Sequence, residues 1–169
     1  LISTEFQVNT RFAYRERFLY GEFERTSLGT RYPIIELTYG YGFPNLLGSQ
    51  FEYHRLQFRI TQKVNLWGMG QSRYTLEAGK FWGKLPYPML KIHEGNETIL
   101  YYENSSNMMN YYEFISDTYG SLTLTHHFGG FFFNKVPLIK KLKLREVVHA
   151  RGVWGTMSES NKTYSDLPP

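Results

Sequence analysis

The sequence predicts an all-β fold: an antiparallel transmembrane β-barrel, or a segment of a larger one. Three observations carry this. Long stretches alternate polar and apolar residues with a period of two, which marks strands with two unlike faces. No stretch has the length and periodicity of a useful amphipathic helix. Aromatic residues gather near the expected strand ends, at Tyr14, Tyr39, Tyr41, Trp67, Phe81, Trp82, Phe131 to Phe133 and Trp154, as two interfacial girdles would require.

The elements follow in order. Thr4 to Tyr14 alternates Phe6, Val8, Thr10, Phe12 and Tyr14 against Glu5, Gln7, Asn9 and Arg11. A less regular strand is expected at Arg17 to Glu24, then a turn through "TSLGTRYP". Ile34 to Gly42, rich in Tyr and Gly, makes the next strand, and "FPNLLGS" a loop. Two long strands follow, Glu52 to Leu66 and Ser72 to Trp82, joined by the short turn "WGMGQS". In the first, Leu56, Phe58, Ile60, Val64 and Leu66 share one face, the lipid-facing candidates. Arg55, Arg59 and Lys63 share the other, joined by Arg73 and Glu77 as lumen-facing candidates. The Gly83 to Glu113 segment loses the alternation and reads as a long outer loop. Phe114 to Phe128 reads as one unbroken strand and Leu144 to Thr156 as the last. These strands exceed the about five to six residues usual in soluble sheets, and a tilted membrane-crossing strand needs about 9–11. With "WGMGQS" on the periplasmic side, short turns would lie inside and the long loop outside. A soluble sandwich would instead need a second sheet over the apolar face.

The 169 residues suffice for one domain, residues 1–169. Aromatics make up 18% and charged residues only 20%, with formal net charge +4. The basic residues are spread through the strands, which argues against nucleic acid as a partner. The chain has no Cys, which excludes disulfide staples, thiolate metal sites and a thiol nucleophile. No run of about 18 apolar residues supplies a transmembrane helix. The chain opens inside a strand with no leader pattern and ends in the polar "SESNKTYSDLPP", so both ends are expected to be incomplete.

Few motifs carry chemistry. "VPLIKKLKLRE" reads as a short helix with Pro137 in its first turn, able to lie on a membrane surface with its lysines at head groups, or as a polar turn between strands. His126 and His127 are adjacent, so from a regular strand they point to opposite faces and cannot share a metal. A lipase-like site would need one of them beside Glu113, Asp117 or Ser121; a structural histidine at the lumen or girdle is the favoured reading. Asn96, Asn104 and Asn161 begin N-x-[ST] triplets, here read only as exposed loops. Glu146 joins the lumen register. No cofactor, metal or catalytic residue is expected.

Four phrases together resemble a known family: "RYPIIELTYGYG", "GSQFEYHRLQFRITQK", "YTLEAGKFWGKLPYPMLKIHEGNET" and "MNYYEFISDTYGSLTLTHHFGGFFFNKVPLIKKLKLREVVHARGVWG". The set is similar to the C-terminal barrel region of a Bacteroidota outer-membrane family of unknown function, whose members carry an N-terminal carboxypeptidase-regulatory-like domain. The resemblance covers nearly the whole chain, most firmly from Arg31. It implies an outer-membrane β-barrel in the cell envelope. That N-terminal domain and closing strands after "SDLPP" are not in this sequence, and the family supplies no site residue. The expected role is structural or accessory, not enzymatic, with outer-membrane lipid and other envelope proteins as partners. The alternatives are part of a nutrient-transporter barrel and a barrel-embedded lipid-modifying enzyme.

Overall fold

The computed structural model describes residues 1–98, 100, 102, 105–107 and 109–164. Its centre is one antiparallel sheet of six strands. Among the described residues the strands are, in chain order, β1 (Glu5–Ala13), β2 (Arg17–Tyr20), β3 (Arg25–Gly29), β4 (Ile34–Gly42), β5 (Tyr53–Asn65), β6 (Gln71–Trp82), β7 (Lys91–Ile92), β8 (Ile115–Ser116), β9 (Thr118–His127) and β10 (Val147–Thr156). Two short helices are α1 (Pro137–Lys141) and α2 (Glu159–Tyr164). The large sheet runs β1-β4-β5-β6-β9-β10; β2–β3 and β7–β8 are separate pairs in its connections. Among the described residues β1 and β10 do not pair with each other, so the sheet is open and no closed barrel forms.

Register fixes the faces, because directly opposed residues in an antiparallel pair share a side. One cross-sheet row is Phe12, Ile35, Ile60, Leu76, Leu122 and Gly152. The next row on that side is Thr10, Leu37, Phe58, Ala78, Gly120 and Trp154. This apolar face carries Phe6, Val8, Leu37, Leu56, Leu76, Leu122, Leu124 and Val148, all exposed. No second sheet or helix is laid over it among the described residues. The opposite face holds the polar register, and the buried core sits there at one end of the sheet. That core is Phe51, Tyr53, Phe81, Leu85, Leu90 and Tyr119.

The strand expectations are met with defined corrections. β4 has the expected bounds, and β1, β5 and β6 match within a residue. The strand expected at Arg17 to Glu24 ends at Tyr20, and it forms a hairpin with β3, which takes up part of the expected turn, with an irregularity at Arg17/Phe18. Phe114 to Phe128 is not one strand. It breaks at Asp117, whose backbone N–H bonds Thr156 and whose carbonyl takes the Phe81 N–H. Leu144 to Glu146 lies outside β10. Leu66 precedes the 3₁₀ turn Trp67–Met69 and belongs to no strand face. Phe81 is buried on the polar side, and Trp154 lies near the end of β10 as expected, though its row crosses β5 at Phe58. The alternation of short and long connections also fails. Residues 66–70 are short, but at the same end residues 14–33 and 128–146 are long.

Candidate functional site

The polar face carries two clusters of charges at cross-strand positions. Arg55 Nη2 lies 2.7 Å from Glu5 Oε1 and 2.9 Å from Gln7 Oε1. The Tyr53 hydroxyl donates to Glu5 Oε2 at 2.6 Å. Beyond the Gln57 row, Arg59 Nη2 meets Glu77 Oε2 at 2.9 Å, and its Nη1 lies 3.7 Å from Glu36 Oε2. Lys91, from the long connection, reaches Glu77 Oε1 at 3.5 Å. Tyr119 OH donates to the same oxygen at 3.3 Å and accepts from Gln57 Nε2 at 2.8 Å. These are two separate multi-residue clusters, not isolated surface pairs worth about 0–1 kcal/mol each. Between them lies a small polar cavity of about 210 Å³ lined by Gln7, Asn9, Thr38 and Gln57 with Glu36, Arg59 and Glu77.

Arg55, Arg59, Lys63, Arg73 and Glu77 thus share one face, and Leu56, Phe58, Ile60 and Val64 the other, as alternation requires. Lys63 and Arg73 sit directly opposite each other. Neither makes an ion pair among the described residues. Glu146 does not join the lumen register: its Oε1 accepts the Phe132 N–H at 3.0 Å and also the Phe133 N–H.

Glycines let the aromatic rings of this face lie flat across neighbouring strands. A Cβ on Gly79 would stand 2.5 Å from the Tyr119 ring, and one on Gly42 would stand 2.2 Å from Tyr53. Periodicity shows strand glycines but not which ring uses the space.

One end of the polar face is closed by the long connection. Leu85 and Leu90 drop onto Tyr53, Phe81 and Tyr119. Asn161 of α2 ties the cover down: its Oδ1 accepts the Leu85 N–H at 3.1 Å and its Nδ2 donates to Asp117 Oδ2 at 3.0 Å. The Ser158 N–H reaches that same oxygen at 2.8 Å. Burial would raise the Asp117 carboxyl, but the Ser158 and Asn161 hydrogen bonds outweigh it and hold it below the ordinary carboxylate range. Asn161 and Asn96 are buried and hydrogen-bonded, contrary to the exposed-loop expectation; Asn104 lies outside the described residues.

His93 is buried in this cover, with Nε2 3.1 Å from Ser116 Oγ and its ring edge-on to Tyr119 at 5.7 Å between centroids. Burial lowers its pKa first, and the Lys91 and Arg151 charges add to that; Glu77 acts in the opposite sense. Folding therefore favours neutral His93, and the unfolded chain binds more protons below the ordinary histidine value of about 6.5. Stability to denaturant should fall as pH drops below about 6.5. His93→Gln should flatten that slope; an unchanged slope would remove His93 as its cause.

His126 points to the apolar face and its partner is Ser72, at 2.6 Å from Nδ1 to Oγ, with Nε2 3.0 Å from the Met69 carbonyl. Neither Glu113, Asp117 nor Ser121 is involved. Sequence spacing could not find Ser72, because the pair forms only through the β6–β9 register. The carbonyl places the proton on Nε2 and leaves Nδ1 to accept from the serine, a hydroxyl–base geometry with a backbone group as orienter. Among the described residues no group of three or more His, Asp or Glu could hold a metal. Among the described residues no helix is long and apolar enough to cross a membrane, which says nothing of strands.

Residues 2–167 match the family described as "Family of unknown function (DUF5686) C-terminal domain". No curated protein and no solved structure matches the chain. The chain belongs to this C-terminal domain family.

Proposed function

We propose that this domain is part of an integral outer-membrane β-barrel with a structural or accessory role in a cell-envelope complex. The observation that carries the reading is the uncovered apolar face of the six-stranded sheet. Residues such as Leu122, 50% exposed, belong to a mainly apolar field that crosses all six strands. In water a patch of that kind needs a cover. In a bilayer, lipid is the cover, and the polar register becomes the lumen.

The dimensions agree. From His54 to Val64, β5 rises about 33 Å at about 3.3 Å per residue. Tilted by about 40°, that projects to about 25 Å, the height of an outer-membrane apolar band. Tyr39, Tyr41, His54 and Trp82 stand at one end of the field. Trp67 stands at the other, 92% exposed. In such a barrel Lys63, Arg73 and the Glu77 cluster face the lumen, while Leu56, Phe58, Ile60 and Val64 face lipid. The open edges of β1 and β10 would be closed by further strands. The Leu85–Leu90 cover over Tyr119 and the Arg–Glu clusters fill the interior, which favours a scaffold over an open transport conduit.

A lipid-modifying role has one observation in its favour, the Ser72–His126 pair on the apolar face. Phospholipid hydrolysis lost in Ser72→Ala with fold intact would support it; hydrolysis absent from the wild type would end it.

The test of the main reading is fractionation of the native full-length protein, with its intact mass measured in each fraction. A species resistant to alkaline wash and released only by detergent, heavier than 20.0 kDa, is expected. A water-soluble 20.0 kDa species would overturn it.

A further inference from the structure

At the end of the sheet marked by Trp67, a cleft of about 720 Å³ opens between the β2–β3 hairpin and the last turn of β5. Its size suits a small-molecule head group. The hairpin is held in place from both sides. Arg11 forks onto both Glu16 oxygens at 2.7 Å, and Gln62 Nε2 donates to the Arg31 carbonyl at 3.2 Å. Thr30 Oγ1 donates to the Tyr14 carbonyl at 2.6 Å. The wall is therefore fixed to neighbouring segments by side-chain hydrogen bonds, one of them reaching β5, and is not a loose loop edge.

The lining divides by chemistry. Arg17, Arg31 and Lys63 supply three cations, and no acidic residue lines the cleft. None of the three makes an ion pair among the described residues. Lys63 also faces Arg73 across the β5–β6 pair, a like-charge opposition that a strand pair tolerates poorly without a counter-charge. Leu28, Val64 and Trp67 supply an apolar wall beside these cations.

A second element at the same end repeats the pattern. Residues 128–146 carry Lys135, Lys140, Lys141, Lys143 and Arg145 against Glu146 alone, five cations minus one anion, so +4. This equals the formal net charge of the entire chain, +4. Lys135 lies over the Phe131 ring and Arg145 bonds the Gly129 carbonyl, but the three remaining lysines lie in and just after α1, beside the exposed Leu138 and Leu142.

We propose that the cleft binds the phosphodiester head group of an anionic phospholipid, with the phosphate among Arg17, Arg31 and Lys63 and the start of an acyl chain on Leu28, Val64 and Trp67. The inference rests on the membrane reading and names one lipid class that the barrel engages. A free phosphate would use the cations alone and gain nothing from the apolar wall. A zwitterionic lipid would bring its own cation into an already cationic cleft. The lysines of α1 add attraction for the same charged surface, each worth roughly the pull of one basic residue near an anionic leaflet.

The experiment is native mass spectrometry of the full-length protein in detergent, with phosphatidylglycerol and phosphatidylcholine added at equal concentration. The wild type should retain phosphatidylglycerol about tenfold more than phosphatidylcholine, as about three basic contacts allow. The variant R17Q/R31Q/K63Q should lose that preference, while Lys80→Gln, at the other end of the sheet, keeps it. Competition on the wild type needs no variant to fold: excess inorganic phosphate should leave the lipid adducts in place. Equal retention of the two lipids, displacement by inorganic phosphate, or a preference unchanged in the triple variant would each overturn the proposal. If the wild type instead proves water-soluble and binds no lipid, the membrane reading falls with it.

Discussion

Leu122→Arg should destabilise the membrane-assembled protein by about 2–4 kcal/mol. Leu122 lies in the middle row of the apolar face, between Leu76 and Gly152, and is half exposed. In a soluble protein a substitution at so exposed a position shifts stability by about 0.5 kcal/mol or less. At the midplane of a bilayer an arginine on the lipid side of a barrel costs about 2–4 kcal/mol. The two environments thus predict different magnitudes for one change. Folding into vesicles, followed by urea titration, reads the difference. A loss of about 2 kcal/mol or more supports lipid contact. A variant as stable as the wild type would mean that water, or a polar partner, meets this face.

Tyr119→Ala should be the most damaging single change on the other face. The ring is 2% exposed and lies over Gly79. Its hydroxyl joins Gln57 to Glu77, and Phe81 and Leu85 belong to the same core. Truncation removes a large buried aromatic and leaves a cavity, which costs about 3–5 kcal/mol. It also strips a partner from Glu77, which then holds only Arg59 and Lys91. Tyr119→Phe keeps the packing and should cost only the hydroxyl's hydrogen bonds, about 1 kcal/mol. Denaturant unfolding of both variants separates the two contributions. Equal losses would show that the hydrogen bonds and not the ring secure this end of the sheet.

The strands were legible because a period of two survives in a sheet whose faces meet different environments. The Leu56/Phe58/Ile60 and Arg55/Arg59 split therefore follows from alternation alone. Connections were less legible. The break at Asp117 falls inside a stretch that reads as one strand, and its cause is distant: Thr156, Ser158 and Asn161 all bond that residue. The β2–β3 hairpin escaped because "TSLG" looks like a turn while its residues pair. Buried Asn161 reads as an exposed-loop residue because its partners, Leu85 and Asp117, are far away in sequence. The Ser72–His126 pair and the cationic cleft share that property: each joins residues from separate strands or hairpins. The resemblance to an outer-membrane family pointed to a family of unknown function, and the chain does belong to one. It could give no site residue, so the candidate sites come from the fold.

The most direct test of the central claim uses the absence of cysteine. Single cysteines at Leu56, Gln57, Phe58, Arg59 and Ile60 can each carry a spin label in the membrane-assembled protein. Contact with dissolved oxygen, which concentrates in lipid, and with a water-soluble nickel chelate should alternate residue by residue. Labels at Leu56, Phe58 and Ile60 should meet oxygen, and those at Gln57 and Arg59 should not. Uniform access to the nickel chelate along all five positions would contradict a lipid-facing sheet.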